Sequence, residues 1–181
     1  MTGPAFIREE VSLIAPYNSG LTSGAVAARY APAKISKLGS NENPFGPSPT
    51  VQQALGLAAP NLHLYPDPAG TELRQAIGRR HHVGTDQIVL GNGSEDLLSV
   101  ICKTVLRPSD RMVTLFPSFP LHEDYAVVMG AKVERVSLQR DLTIDVQAFA
   151  EAASSSPRLV MFANPMNPVG AWLNSTQLGQ V

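Results

Sequence analysis

Hydrophobic positions from residue 70 onward alternate between two spacings. In the longer segments apolar side chains recur every three to four residues, as on one face of a helix, over 71–82, 94–106, 119–129 and 145–153. Short apolar runs typical of buried strands separate them, at 87–90, 111–116, 132–138 and 158–163. Strands that alternate with helices need crossover connections, so the pattern predicts an α/β fold with a mainly parallel sheet flanked by helices.

Residues 1–60 lack this alternation because proline and glycine interrupt them repeatedly. Two short helices fit between the interruptions, over 24–30 and over 48–59, and Ser48 is placed to cap the second. A segment with so few hydrophobic anchors cannot bury itself. We therefore expect residues 1–60 to form an N-terminal arm that lies over another domain or subunit, and residues 61–181 to form part of the main α/β domain.

The charge balance narrows the possible partners. Lysine and arginine total 14 and aspartate and glutamate 15, which gives a net charge of −1 and argues against a nucleic-acid surface or a polybasic membrane arm. The single cysteine, Cys102, excludes an internal disulfide, and neither a signal peptide nor an apolar run of about 18 residues is visible. We expect a soluble, cytoplasmic protein that binds neither nucleic acid nor membranes.

The segment Gly91–Asp96 joins a predicted strand to a predicted helix. Its glycines allow a tight turn, while the Ser94 hydroxyl and the first helical amides are donors for an anion such as phosphate. Neither a third glycine nor a Gly-Lys-Ser sequence follows, so the segment is neither a dinucleotide fingerprint nor a Walker loop. The alternative is an ordinary helix start, with Ser94 as cap and the carboxylates of Glu95 and Asp96 complementing the helix dipole.

Two further segments follow predicted strands, and ligands gather at the carboxyl ends of parallel strands. In Phe116–Pro120, Phe119 is placed to lay its ring against a planar ligand, although a core phenylalanine would give the same pattern. In Asn164–Gly170, Asn167 precedes a proline and is therefore extended or in a turn, with an amide that can donate to a phenolate-like oxygen. A plain turn rich in Asn, Pro and Gly is the alternative there.

The remaining candidates carry less chemistry. Asn41–Pro49 in the arm, and Leu64–Pro68 shortly after it, hold polar side chains between prolines, as linkers also do. Cys102 falls on an apolar helix face, which indicates a buried thiol rather than a nucleophile. His63 and His122 stand alone, and no cluster of histidine and cysteine indicates a metal site.

Five segments taken in order resemble one family. They are Asn41–Pro49, Tyr65–Pro68, Gly91–Asp96, Pro117–Phe119 and Asn167–Gly170. Together they resemble histidinol-phosphate aminotransferase, of the fold-type I, class I/II pyridoxal-phosphate (PLP) aminotransferases, from residue 17 through nearly the whole chain. The resemblance implies PLP as cofactor and a homodimer in the full-length form. It also implies amino transfer between histidinol phosphate or imidazole-acetol phosphate and glutamate or 2-oxoglutarate, in histidine biosynthesis. Residues 61–181 would be part of the PLP-binding large domain.

The resemblance also implies roles at matching positions. Backbone amides of Ser94 and Glu95 would hold the cofactor phosphate at the helix N-terminus. The ring of Phe119, where the family more often has tyrosine, would stack on the pyridine ring, and Asn167 would bond its 3′ oxygen. Tyr65 would reach the cofactor phosphate of a partner subunit. The residues that would face the phosphorylated substrate are Tyr17, Asn41, Glu42 and Asn43.

The Schiff-base lysine that the family requires has no match here. The lysines of the chain are Lys34, Lys37, Lys103 and Lys132, and none stands at the family's position for that residue. The helix signal at 174–178 also stops after about one turn. We therefore expect an N-terminal portion of such an enzyme, inactive alone. The alternatives are a related PLP enzyme, such as a threonine-phosphate decarboxylase or another aminotransferase, and a non-catalytic remnant that binds only phosphate ligands or a partner subunit.

Overall fold

Three parallel strands form the sheet that positions the loops of interest. In the computed structural model, which describes residues 6–16 and 20–181, the strands are β1 (Arg111–Phe116), β2 (Lys132–Ser137) and β3 (Leu159–Val160). Their order is β2–β1–β3, so β1 is central, and both pairings are parallel. The α/β fold with a parallel sheet flanked by helices, expected from the sequence, is confirmed.

Helices precede, separate and follow the strands along the chain. In chain order within the described residues, the α-helices are α1 (Glu9–Ser12), α2 (Ser23–Tyr30), α3 (Pro49–Ala58), α4 (Thr71–His81), α5 (Ser94–Val105), α6 (Leu121–Val128), α7 (Val146–Ser154) and α8 (Ser175–Leu178). The chain passes from β1 to β2 through α6 and from β2 to β3 through α7, which are the crossovers that parallel pairing requires. Of the described residues, no helix is long and apolar enough to cross a bilayer.

The side chains of β1 point alternately to its two faces, and each face has its own core cluster. The cluster that joins β1 to α7 consists of Val113, Leu115, Phe149, Ala152, Met166 and Leu173. The cluster that joins β1 to α5 and α6 consists of Cys102, Leu106, Met112, Ala126 and Ala131. The central strand is therefore buried on both sides, which its continuous apolar run indicates.

The chain divides into two compact units, Pro16–Ile77 and a second one of Met1–Ala15 with Gly78–Val181. No described residue of the first unit is buried. Several of its large side chains are almost fully exposed, namely Leu38 at 94%, Phe45 at 93% and Tyr65 at 101%. The described part of this unit therefore has no core of its own. That the arm lies over another domain or subunit stays a prediction.

Two of the expected strands differ from the structure. The strand expected at 87–90 is wrong, because Thr85–Gln87 is a 3-10 helix and Ile88, although extended and buried, pairs with no strand of the described residues. The strand expected over 158–163 forms a ladder only over Leu159–Val160. In both cases the apolar run is present, but ladder hydrogen bonds and not apolar side chains define a strand.

The helix ends follow local capping chemistry. Ser48 caps α3, as expected, by accepting a hydrogen bond from the Val51 amide at 3.3 Å. Asn174 caps α8 by accepting a hydrogen bond from the Gln177 amide at 2.9 Å, and Leu178, at the end of this one-turn helix, is 41% exposed. Cys102 is fully buried, as predicted, and burial raises the pKa of its thiol.

The start of α4 is held by a side chain four residues before it. Thr71 is the first helical residue, and Asp67 accepts hydrogen bonds from the amides of Thr71 at 2.8 Å and Ala69 at 2.9 Å. The hydrogen bonds from Thr71, more than that from Ala69, lower the pKa of the Asp67 carboxyl because they favour its charged form. The carboxylate of the Tyr65–Pro68 motif therefore holds the helix start.

Replacing Phe149 with alanine is expected to lower the free energy of unfolding by about 3–5 kcal/mol. The ring is fully buried and packs edge-on against Phe162, with 4.9 Å between ring centroids. Urea unfolding followed by circular dichroism measures the loss. The matched control is Phe45→Ala, which removes an exposed ring and is expected to cost less than about 0.5 kcal/mol. Equal losses in the two variants would contradict the core described here.

Replacing Asp67 with alanine is expected to lower the melting temperature at neutral pH, because α4 loses its cap. The folded-state pKa lies below the ordinary value of 3.8, so this stabilisation is present above 3.8 and is lost as the pH falls through the lower folded value. Calorimetry should show the difference between wild type and Asp67→Ala shrinking in that acid range. A difference that grows there would show that the carboxylate is not the capping group.

Candidate functional site

The loop from β1 to α6 begins at the carboxyl end of the central strand and carries Phe119. Phe119 is half-buried, two residues before the first turn of α6. Its backbone carbonyl accepts a hydrogen bond from the imidazole of His122, and Nε2 of the same ring lies 2.7 Å from Oγ1 of Thr114 on β1. The loop is therefore tied back to the strand from which it leaves.

His122 is a feature that the sequence did not reveal as important. It is only 5% exposed, and burial lowers its pKa, a shift that the charges of Glu123 and Asp124 and the Phe119 carbonyl partly oppose. The expectation that His122 stands alone is thus wrong. Its spacing of three residues after Phe119, at the start of an amphipathic helix, was the available signal.

An ion pair fixes the other side of the same loop. Nε and Nη2 of Arg135, on β2, donate to Oε2 of Glu123 at 2.7 and 2.6 Å, and Glu123 is 5% exposed. The guanidinium of Arg135 also lies over the ring of Phe116, 5.1 Å from its centroid. Burial, and then the charge of Glu123, raise the pKa of the neighbouring Asp124. Glu123 is therefore more than an ordinary surface carboxylate of a helix, because it is buried and paired with an arginine of the sheet.

The loop after β3 carries Asn167, which is half-buried. The side chain of Asn164 pairs with the backbone of Leu173, accepting from its amide at 2.8 Å and donating to its carbonyl at 3.0 Å. Met166 is 2% exposed and anchors the segment in the core. The two ends of the loop are thereby closed, and Asn167 is presented from a fixed turn.

Strand order brings these two loops to the same edge. Because β1 and β3 are hydrogen-bonded neighbours and run parallel, the loops that follow them leave the sheet side by side, with strands about 4.8 Å apart. Phe119 and Asn167 therefore belong to one edge of the sheet. Each stands within seven residues of the end of its strand.

The start of α5 is open to an anion. Gly93, at a φ of +86°, precedes Ser94, and a methyl group placed on this glycine would meet no atom within 4 Å. Ser94 is the first helical residue and not the cap, so the alternative of a serine cap is wrong. The first amides of a helix have no partner within it, and they point with the positive end of the helix dipole. Ser94 and Glu95 supply two of these amides.

Contacts at the other end of α5 show which way it runs. The carbonyl of Val105 accepts a hydrogen bond from Nε of Arg158 at 3.1 Å, next to the residue where β3 begins. Cys102 and Met112, the second residue of β1, lie in the same core cluster. Since a twelve-residue helix is about 18 Å long, its first turn lies toward the carboxyl edge, the edge that carries Phe119.

The carboxylates after Ser94 are both engaged. Oε1 of Glu95 accepts a hydrogen bond from the hydroxyl of Tyr125 in α6 at 2.9 Å, and this bond is the main reason why the pKa of Tyr125 is raised. Oδ2 of Asp96 accepts from the amide of Asn92, also at 2.9 Å. The first turn of α5 is thus joined to α6, and its loop is closed by its own aspartate.

The candidates from residues 1–60, together with Tyr65, lie in the unit Pro16–Ile77 or outside the described residues. Tyr17 is outside them. The side chain of Glu42 pairs with Nζ of Lys37 at 2.6 Å. The side chain of Asn43 closes a turn, accepting from the Phe45 amide at 3.1 Å and donating to the carbonyl of Gly46 at 3.0 Å. The remaining two are exposed, Asn41 in a left-handed backbone conformation and Tyr65 with its whole ring accessible.

The chain is similar to aminotransferases throughout. The family model for aminotransferase class I and II matches residues 33–181. Histidinol-phosphate aminotransferase 1 of Mesorhizobium japonicum is 60% identical over 97% of this chain, and histidinol-phosphate aminotransferase 3 of Rhizobium meliloti is 50% identical over 97%. The matches cover 48% and 47% of those proteins, so the chain spans about half the length of the curated relatives it matches.

A solved structure extends the similarity to the fold. The crystal structure of histidinol-phosphate aminotransferase from Sinorhizobium meliloti in complex with pyridoxal-5'-phosphate superimposes with a TM-score of 0.82 at 24% identity. It covers 98% of this chain and 47% of that one. From the family match and this shared fold we conclude that the chain belongs to the class I and II aminotransferases.

Proposed function

We propose that this chain is the PLP-binding N-terminal half of a histidinol-phosphate aminotransferase. Such an enzyme moves an amino group between histidinol phosphate or imidazole-acetol phosphate and glutamate or 2-oxoglutarate, in histidine biosynthesis. The observation that carries the proposal is the 60% identity to a histidinol-phosphate aminotransferase over 97% of the chain. Sequence likeness at this level supports the substrate assignment more strongly than fold likeness does.

The start of α5 has the chemistry that the phosphate of PLP requires. The first-turn amides of Ser94 and Glu95, which have no partner within the helix, suit a phosphate group together with the helix dipole and the open space beside Gly93. Glycine at a positive φ lets the backbone approach such a group closely. In our proposal these two amides bind the phosphate and so fix one end of the cofactor.

The other two loops supply the groups that a flat heteroaromatic ring requires. The ring of Phe119 would stack on the pyridine ring, and the amide of Asn167 would donate a hydrogen bond to its 3′ oxygen. When bound, PLP supplies an electron sink for the bonds at the substrate amine carbon. The residues of this chain then orient the ring, hold its phosphate and keep water from one of its faces.

Residues of the unit Pro16–Ile77 complete the proposal. Tyr65 has its whole ring exposed, which suits a side chain that reaches the cofactor phosphate of a partner subunit in a homodimer. Tyr17, Asn41, Glu42 and Asn43 would face the phosphorylated substrate. The lysine that binds the cofactor covalently is not one of the four in this chain, so we propose that this half alone binds PLP without catalysing transamination.

A chimera tests the proposed function. Residues 1–181 would be joined to the C-terminal half of the Mesorhizobium japonicum relative, which is 60% identical in the matching half. We expect 2-oxoglutarate-dependent conversion of histidinol phosphate by the chimera and none by the chain alone. A chimera that is folded by circular dichroism but releases carbon dioxide from threonine phosphate, or is inactive on histidinol phosphate, would contradict the proposal.

Phe119→Ala in the chimera is expected to weaken PLP binding about tenfold, because the stacked ring contributes about 0.5–1.5 kcal/mol beyond its buried area. Phe119→Tyr keeps the ring and is expected to retain the affinity. Fluorescence titration with PLP gives the dissociation constants. The control is Phe6→Ala, which removes a ring that is 88% exposed. Equal affinities for Phe119→Ala and the control would exclude Phe119 from the cofactor site.

A further inference from the structure

The imidazole of His122 joins the central strand to the loop that carries Phe119. Its Nε2 lies 2.7 Å from Oγ1 of Thr114, and the ring also bonds to the backbone carbonyl of Phe119. We propose that His122 is a positioning residue that fixes the Phe119 ring through this pair of hydrogen bonds. The proposal rests on the proposed role of Phe119 against the cofactor ring.

The chemistry of the two partners determines where the ring proton lies. A carbonyl oxygen only accepts, so the nitrogen that faces Phe119 carries the proton. Since Nε2 faces Thr114, that nitrogen is Nδ1, and in the neutral ring Nε2 is then an acceptor. The Thr114 hydroxyl therefore donates to Nε2 at 2.7 Å rather than to the Leu115 carbonyl, which lies at 3.5 Å. The hydrogen bonds then run in one direction from the strand to the loop.

Burial makes this arrangement costly to break. Thr114 is fully buried and His122 is 5% exposed, so neither polar side chain can exchange its partner for bulk water. The nearest acids, Glu123 and Asp124, lie on the same helix, and Glu123 is committed to Arg135 of β2. On the α5 side the neighbour is Cys102, whose Sγ lies 3.9 Å from the backbone carbonyl oxygen of His122.

The segment that these hydrogen bonds restrict, from the end of β1 to His122, is very short. Only Pro120 and Leu121 separate Phe119 from His122, and Phe119 itself is three residues beyond the last residue of β1. One hydrogen bond at the carbonyl of Phe119, anchored to the side chain of Thr114, therefore restricts the peptide unit that sets the direction of the Phe119 ring. A histidine in this place acts on the cofactor through Phe119 and needs no contact of its own.

The first test measures the loop in the whole 181-residue chain. Nitrogen-15 NMR of the histidine ring should show His122 neutral with its proton on Nδ1. Thr114→Val removes the donor at nearly constant shape and is expected to speed hydrogen exchange at the amides of Ser118 and Phe119 at least tenfold. The control, Thr104→Val, loses a hydroxyl that bonds only within α5, to the Val100 carbonyl at 2.8 Å, and should leave these amides unchanged.

The second test asks whether the ring position follows. In the chimera, His122→Leu is expected to weaken PLP binding several-fold, while His122→Asn, whose amide can still donate to the Phe119 carbonyl, recovers most of the affinity. A proton on Nε2, exchange rates in Thr114→Val equal to those in Thr104→Val, or full PLP affinity in His122→Leu would each overturn the proposal. If the wild-type chimera binds no PLP, the proposed function fails, and the NMR and exchange results alone decide the role of His122.

Discussion

The parallel pairing of β1 with a strand on each side is the constraint on which the rest of the unit that contains the sheet depends. Parallel strands have their carboxyl ends at one edge, so the loops after β1 and β3 must leave together. Parallel strands also need crossovers, and here α6 and α7 supply them while burying both faces of β1. One pairing pattern therefore gives the unit its core and places Phe119 and Asn167 on the same side.

A single polar side chain inside β1 shows how the core and the loop are coupled. Thr114 is fully buried among apolar neighbours, and a buried hydroxyl without a partner would cost about 1–3 kcal/mol. His122 is its nearer partner, at 2.7 Å against 3.5 Å for the Leu115 carbonyl, and the imidazole is itself held by the carbonyl of Phe119. The Thr114 hydroxyl, which would destabilise the core if it had no partner, is thus the group through which β1 is hydrogen-bonded to the loop that follows it.

Periodicity predicted most of the helices and two strands well, because local side-chain spacing decides them. The bounds of β1 match the prediction residue for residue, and those of α5 differ by one. Periodicity failed where a strand or a helix start depends on a partner elsewhere in the chain. Ile88 is apolar and extended but has no neighbouring strand in the described part of the chain, and Asp67 caps α4 from four residues before Thr71. Local side-chain spacing indicates neither the missing strand partner of Ile88 nor the capping of α4 by Asp67.

In the candidate site, too, some features could be predicted from the sequence and others could not. Gly91–Asp96 and the two loops after the strands are visible as motifs, since turns and helix starts use characteristic residues. The groups that hold those motifs in place are not visible, because they come from other elements. Arg135 lies on β2, 12 residues beyond the Glu123 that it pairs with. The roles of the motif residues toward a cofactor stay predictions, while their supports are established by geometry.

The two acids that follow Ser94 pose the sharpest electrostatic question for a phosphate at the start of α5. Their negative charges are stabilised by the helix dipole but repel a bound anion, so whether a phosphate is tolerated depends on where the two carboxylates are held. The hydroxyl of Tyr125 donates a hydrogen bond to the Glu95 carboxylate at 2.9 Å and so holds it toward α6. The amide of Asn92 takes Asp96 back into the loop. Both carboxylates accept hydrogen bonds, and the opening beside Gly93 is left to the backbone amides, which are the donors that a phosphate needs.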